Sequence, residues 1–256
     1  MSVYKQKISR ELAACCTAIR FLTVLPVTWH SEEDALHFER CVAYFPVIGL
    51  LIGLFGYFLA TFTAFLFPQP VTSVVLVIYL SAISGFLHVD GLSDSGDGLL
   101  SARKRDVSLE IMKDSRVGAM GVVVIVAVFL MKFAGFLSVR SDELLMAVVF
   151  VPLAGRCAIL FCMSRLKYAR QEGGLGTLFY SDRVRCWARV YLLGFVVLSI
   201  FFAPYRGFFV LIAFFVVTLL FSTFCRARLG GATGDTLGAA CEITEAVVVL
   251  AFTVQL

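Results

Sequence analysis

Long apolar runs broken by short polar connections organise this chain. Runs from Val42 to Phe67, Val71 to His88, Gly118 to Leu137, Leu144 to Met163, Trp187 to Ala203, Gly207 to Phe224 and Thr236 to Leu256 are each close to the roughly 20 residues a helix needs to cross a hydrocarbon core. In that solvent every backbone amide and carbonyl must pair within its own segment, which selects helices. The pattern predicts an all-α, polytopic membrane helix bundle of about seven spans in a single domain, 1–256. Ahead of the first run, Leu12, Cys15, Ile19 and Leu22 recur at helical spacing, with Lys5, Lys7 and Arg10 available to the headgroups, so an amphipathic surface helix is expected. Arg20 interrupts that stretch and no small-residue cleavage site follows, which argues against a secretory signal.

Composition sharpens the picture. With 60% hydrophobic and 16% charged residues and a mean hydropathy of +0.91, too few polar groups remain to solvate a globular surface, so the lipid bilayer is an obligatory partner and no nucleic acid is expected. The eight cysteines form no C-x-x-C pair, and neither a disulfide framework nor a zinc site is indicated. The net charge of +4 is small, but its distribution is uneven. Of the 22 Lys and Arg, all but Lys132, Arg140, Arg156 and Arg206 fall in the N-terminal arm or in alternate connections. The positive-inside rule then puts the N-terminus and those connections in the cytoplasm and, with seven spans, the C-terminus outside.

The same inner segments, 89–117, 164–186 and 225–245, hold the conspicuous chemistry. In Gly85-Phe-Leu-His-Val-Asp-Gly-Leu-Ser-Asp-Ser-Gly-Asp-Gly98, Asp90, Asp94 and Asp97 follow an i, i+4, i+7 pattern that puts them on one helical face. Like charges so close call for a cation, and oxygen donors suit Mg²⁺ or Mn²⁺. Gly91, Gly96 and Gly98 remove side chains where a metal or phosphate has to approach the backbone. A second acidic stripe runs through Asp106, Glu110 and Asp114, of which Asp106 and Glu110 are equally explained by surface pairing with Arg103, Lys104 and Lys113. Lys113 and Arg116, beside Asp114, suit phosphate oxygens, although basic residues at an inner helix end are also what topology requires. Arg156, inside a span, and Arg170, in the next inner connection, suit phosphate too. His88 is either a metal ligand or an ordinary interfacial histidine.

Gly230-Gly-Ala-Thr-Gly-Asp-Thr-Leu-Gly238 opens the last helix with a glycine-rich loop, whose glycines and helix N-terminus can bind an anion through backbone amides, or in which Asp235 can cap the helix. It lacks the Gly-Lys-Ser/Thr ending of a P-loop. Glu242 and Glu245 lie inside a span, where acids are costly and by default face a cavity, a metal or a partner.

Three of these stretches, His88-Val-Asp-Gly-Leu-Ser-Asp-Ser-Gly-Asp-Gly98, Glu110-Ile-Met-Lys-Asp-Ser-Arg-Val-Gly118 and Thr233-Gly-Asp-Thr-Leu-Gly-Ala239, resemble the cobalamin synthase (adenosylcobinamide-GDP ribazoletransferase) family. The resemblance covers almost the whole chain, with Phe45-Pro-Val-Ile-Gly49 and Tyr168-Ala-Arg-Gln-Glu172. It implies a Mg²⁺-dependent enzyme of the bacterial inner membrane, with its active site facing the cytoplasm, that joins adenosylcobinamide-GDP to α-ribazole or its 5′-phosphate and releases GMP. On that footing Asp90, Asp94, Asp97 and Asp114 are expected to hold the metal, and Asp94 and Asp97 to be catalytic, with Asp97 as base. Arg103, Lys113, Arg116, Arg170, Gly234, Asp235, Glu242 and Glu245 are expected to bind substrate.

Two other classes stay open. The Asp94-x-x-Asp97-Gly98 segment followed by Ala102-Arg103 is similar to the CDP-alcohol phosphotransferase motif, with one residue more in the spacing. A transporter would carry intramembrane acids as well, but its charges belong near the midplane of a repeated fold, and no repeat is evident here. Gly49, Gly53 and Gly56 offer close helix packing or dimerisation, which leaves a homo-oligomer open.

Overall fold

A computed structural model describes residues 3–27, 39–170, 179–181 and 183–255. They form ten α-helices: α1 (Val3–Leu22), α2 (Phe45–Leu66), α3 (Gln69–Ala82), α4 (Leu87–Leu100), α5 (Arg105–Ile111), α6 (Ala119–Ser138), α7 (Leu144–Arg165), α8 (Arg183–Phe202), α9 (Arg206–Leu229) and α10 (Gly234–Ala251). An all-α polytopic bundle is what the apolar runs predict.

The spans are fewer than expected. Five helices, α2 with the turn before it, α6, α7, α8 and α9, are each long and apolar enough to cross a membrane. The expected second span ends early: α3 stops at Ala82, and the chain turns by 85° into α4, so the two make a sixth crossing only if counted together. The break is local. Gly85 and Phe86 both adopt left-handed backbone (φ 59° and 60°), and the Phe86 amide reaches back to the Ser81 carbonyl at 2.9 Å, which closes α3 as in a Schellman motif. The polar segment 89–100 is therefore itself a helix. The expected last span, α10, carries Asp235, Glu242 and Glu245 within its length and is not among those five.

α7 runs through the centre, with most of its residues buried. Gly49 and Gly53 of α2 seat directly on its backbone: a Cβ at either would lie 2.6–2.7 Å from the carbonyl oxygens of Pro152 and Val149. Gly56 faces Val148 and Tyr79. This glycine stripe serves packing within the chain. α1 buries Ala14, Ala18 and Leu22, whereas Leu12, expected on its apolar face, is 47% exposed.

Candidate active site

One end of the bundle gathers the polar chemistry. Gly91 of α4 crosses the start of α10, where a Cβ would come within 2.7 Å of the Asp235 carbonyl oxygen and 2.9 Å of its Cα. Backbone meets backbone there, and Asp90 and Asp94 stand beside Asp235 as a result. Gly91→Val is expected to cost about 2 kcal/mol through overpacking and to abolish activity with it; an unchanged unfolding midpoint in detergent would contradict this crossing. Gly96 and Gly98 leave room instead for the Val124 and Met112 side chains, so the space beside the α4 glycines is filled by the protein itself, not left for a phosphate or metal as expected.

Farther along α4, Asp97 turns to the start of α6. Its Oδ2 accepts the Gly118 amide at 2.7 Å and its Oδ1 the Gly121 amide at 2.8 Å. These first-turn amides have no partner within their own helix, and a carboxylate suits the positive end of the helix dipole. Both oxygens are thus engaged, which weakens the expectation that Asp97 is the base.

The start of α10 is fixed by a capping box: the Thr233 hydroxyl accepts the Thr236 amide at 3.2 Å, and the Thr236 hydroxyl accepts the Thr233 amide at 2.8 Å. Thr233, not Asp235, is the N-cap. Asp235 instead accepts Arg170 Nη2 at 2.8 Å. Arg170 is held in register by a short bridge, Ala169 amide to Ala232 carbonyl at 2.8 Å and Ala232 amide to Lys167 carbonyl at 2.9 Å. Arg105 clips the same two segments through the Leu229 and Ala169 carbonyls. Besides its partial burial, the Asp94 carboxylate feels the like charges of Asp235, Asp90 and Asp97, opposed by Arg170.

Asp114 does not join them. Its carboxylate accepts Arg116 Nη2 at 2.6 Å and Nε at 3.0 Å, and Arg116 holds it down to about 2. This exposed pair is at the surface, where Asp114 and Arg116 bind each other. Arg103 is exposed, its carbonyl accepting from Arg228 at 3.3 Å, while Lys113 shares a cleft of about 280 Å³ with Arg105 and Arg170. Gly234 is exposed, with open space where a side chain would be.

Glu242 and Glu245 are absent from the acidic rim. Each is 1% exposed, inside the bundle, and Lys132 Nζ donates to Glu242 Oε2 at 2.7 Å and to Glu245 Oε2 at 2.6 Å. Arg156 donates to the other Glu245 oxygen. The two cations and two anions balance in charge, with Arg156 Nε and Nη2 left without a hydrogen-bond partner among the described residues, and this buried group replaces the expected substrate contacts of the glutamates and the expected phosphate contact of Arg156. Lys132 escaped notice as an exception to the charge asymmetry; a lysine within an apolar run was the available signal.

Two cavities meet at Met163. The larger, about 640 Å³, is lined by Arg165, Lys167, Arg185 and Arg226, residues that the sequence marked only as topological. The smaller, about 210 Å³, has apolar walls with His88, Asp90 and Asp235 as its polar lining. His88 is 3% exposed. Residues 171–178 and 182 of the inner segment 164–186 lie outside the described residues.

The acidic neighbours of Asp94, namely Asp235, Asp90 and Asp97, carry carboxylate oxygens of the kind that suits a hard divalent ion. Among the described residues no three side chains converge as a ready-made ligand set.

Five or six apolar helices, an acid-rimmed site at one end of the bundle and basic clefts beside it define a helical, multi-pass membrane protein. The chain belongs to the cobalamin-5-phosphate synthase family, whose model matches residues 14–253. Similar curated proteins include the adenosylcobinamide-GDP ribazoletransferases of Roseiflexus sp. (38% identity, covering 93% of this chain and 88% of the relative), Listeria monocytogenes (35%, 89% and 92%) and Thermoanaerobacter sp. (32%, 94% and 97%). No solved structure matches the chain.

Proposed function

We propose that the protein transfers the phosphocobinamide group of adenosylcobinamide-GDP to α-ribazole or its 5′-phosphate, releasing GMP and forming adenosylcobalamin or its 5′-phosphate. The observation that carries this reading is the crossing of α4 and α10, which sets Asp90, Asp94 and Asp235 together at one end of a bundle of this family. A ribose hydroxyl attacks the phosphorus that bears the corrinoid, the bond from that phosphorus to the GMP oxygen breaks, and the hydroxyl proton passes to a carboxylate. Asp94 is the better base, because no hydrogen bond engages it among the described residues whereas both Asp97 oxygens accept amides. Asp90, Asp94 and Asp235 would hold Mg²⁺, which when bound supplies positive charge to the pyrophosphate as GMP departs. Arg170, bonded to Asp235, and Lys113, which shares a cleft with Arg170, offer cations for phosphate oxygens, and the basic cleft beyond Met163 offers four more to the anionic nucleotide. Clustering of Lys and Arg in the N-terminal arm and alternate connections supports a cytoplasm-facing site in the bacterial inner membrane.

The purified protein in detergent, given adenosylcobinamide-GDP, α-ribazole and Mg²⁺, is expected to release GMP and form a cobamide in equal amounts, and to stop when Mg²⁺ is chelated. GMP release without α-ribazole, or none in the complete mixture, would refute the transfer.

A further inference from the structure

We propose that the smaller cavity, enclosed between α1, α2 and the α4–α10 crossing, seats the benzimidazole base of the ribazole substrate, with His88 bonded to the ring nitrogen that glycosylation leaves free. The inference rests on the transferase reading above and adds to it a site for one of its two substrates.

Size decides first. A cavity of about 210 Å³ has room for a two-ring heteroaromatic and none for a corrin macrocycle with its side chains. The walls decide next. Phe21, Phe45 and Phe179 form an aromatic triangle with ring centroids 4.9–6.1 Å apart, Phe21 and Phe45 nearly parallel at 14°. All three line the cavity with aliphatic neighbours, and such a surface binds a flat apolar ring by burial and stacking. Guanine, the other bicycle in the reaction, would need Asp90 or Asp235 for its donor edge, the carboxylates proposed above to hold Mg²⁺. A benzimidazole riboside carries one free ring nitrogen. His88 is one of the lining residues, and its Nδ1 is buried without a hydrogen-bond partner among the described residues. Asp90 and Asp235 line the same space, so a base held here places its ribose at the carboxylates proposed for the chemistry.

Equilibrium binding of α-ribazole to the full-length protein in detergent tests the site without turnover. On the unmodified protein, an indole riboside, which replaces the free nitrogen by carbon, is expected to bind about tenfold more weakly than the benzimidazole riboside, and His88→Ala is expected to erase that difference. Equal binding of the two ligands to the unmodified protein overturns the His88 contact. In turnover, Phe179→Ala is expected to raise KM for α-ribazole about tenfold and leave KM for adenosylcobinamide-GDP unchanged. A rise confined to the corrinoid substrate, or no rise in either, overturns the assignment. Should Phe179→Ala fail to fold, the two ribosides on the unmodified protein still decide. Binding without GMP release in the unmodified protein would refute the transferase reading alone, and GMP release with neither riboside discriminated would refute this site alone.

Discussion

Lys132→Met is expected to destabilise the folded protein by about 3–5 kcal/mol, the usual cost of breaking a buried ion pair by removing one partner. Lys132 is the only cation bonded to Glu242 among the described residues and one of two bonded to Glu245. All four members of the group are at most 1% exposed, so water cannot replace the missing charge. Met fills the volume of the lysine stem, so the loss reads charge and not a void. The asymmetry of the cluster supplies the control. Glu245 keeps Arg156 when Lys132 is gone, but Glu242 keeps nothing, so Lys132→Met with Glu242→Gln restores neutrality and is expected to recover most of the stability. Unfolding midpoints in detergent for both variants check this. A single-variant loss below about 1 kcal/mol, or no recovery in the double variant, would show that the cluster is not the closed charge balance described here. Folded double variant with normal KM for both substrates would also establish that Glu242 is a structural residue.

Asp94→Asn is expected to lower the rate of GMP release about 10²- to 10³-fold with the fold intact. The substitution keeps shape and removes one charge from the centre of the acidic group, where Asp90, Asp97 and Asp235 all act on it. It removes the proposed base and one of the proposed Mg²⁺ donors together, so excess Mg²⁺ does not restore the rate. Asp114→Asn provides the contrast: its exposed carboxylate is bound to Arg116, so its effect is expected to stay below about threefold. Turnover at the normal rate in Asp94→Asn at saturating Mg²⁺, or a larger loss in Asp114→Asn, would return the metal site to the position the sequence motif suggested.

The acidic pattern and the apolar runs were legible because each is a local regularity. A continuous apolar run long enough to span lipid can hardly be anything but a helix, and a four-residue spacing of carboxylates puts Asp90, Asp94 and Asp97 on one face once that segment is helical. The family motifs were equally local. What could not be read was which face of each helix turns inward. In a span, the lipid-facing and protein-facing sides are both apolar, so the amphipathic signal that orients a helix in water is weak. The crossing of α4 with α10 is an example: Gly91 looked like room for a ligand, and only the placement of α10 shows that a backbone occupies it.

By itself, then, the sequence determined the class of fold, the segments that carry chemistry and the carboxylates of α4, all of which depend on residues close together in the chain. Tertiary structure alone decided their partners. Lys132 and Glu242 lie 110 residues apart, Asp97 finds its amides more than twenty residues away, and the aromatic triangle draws on three separate stretches. No periodicity encodes such pairs, because they depend on how helices cross. That crossing made Glu242 and Glu245 part of a buried charge balance and brought Asp235 to the acids of α4.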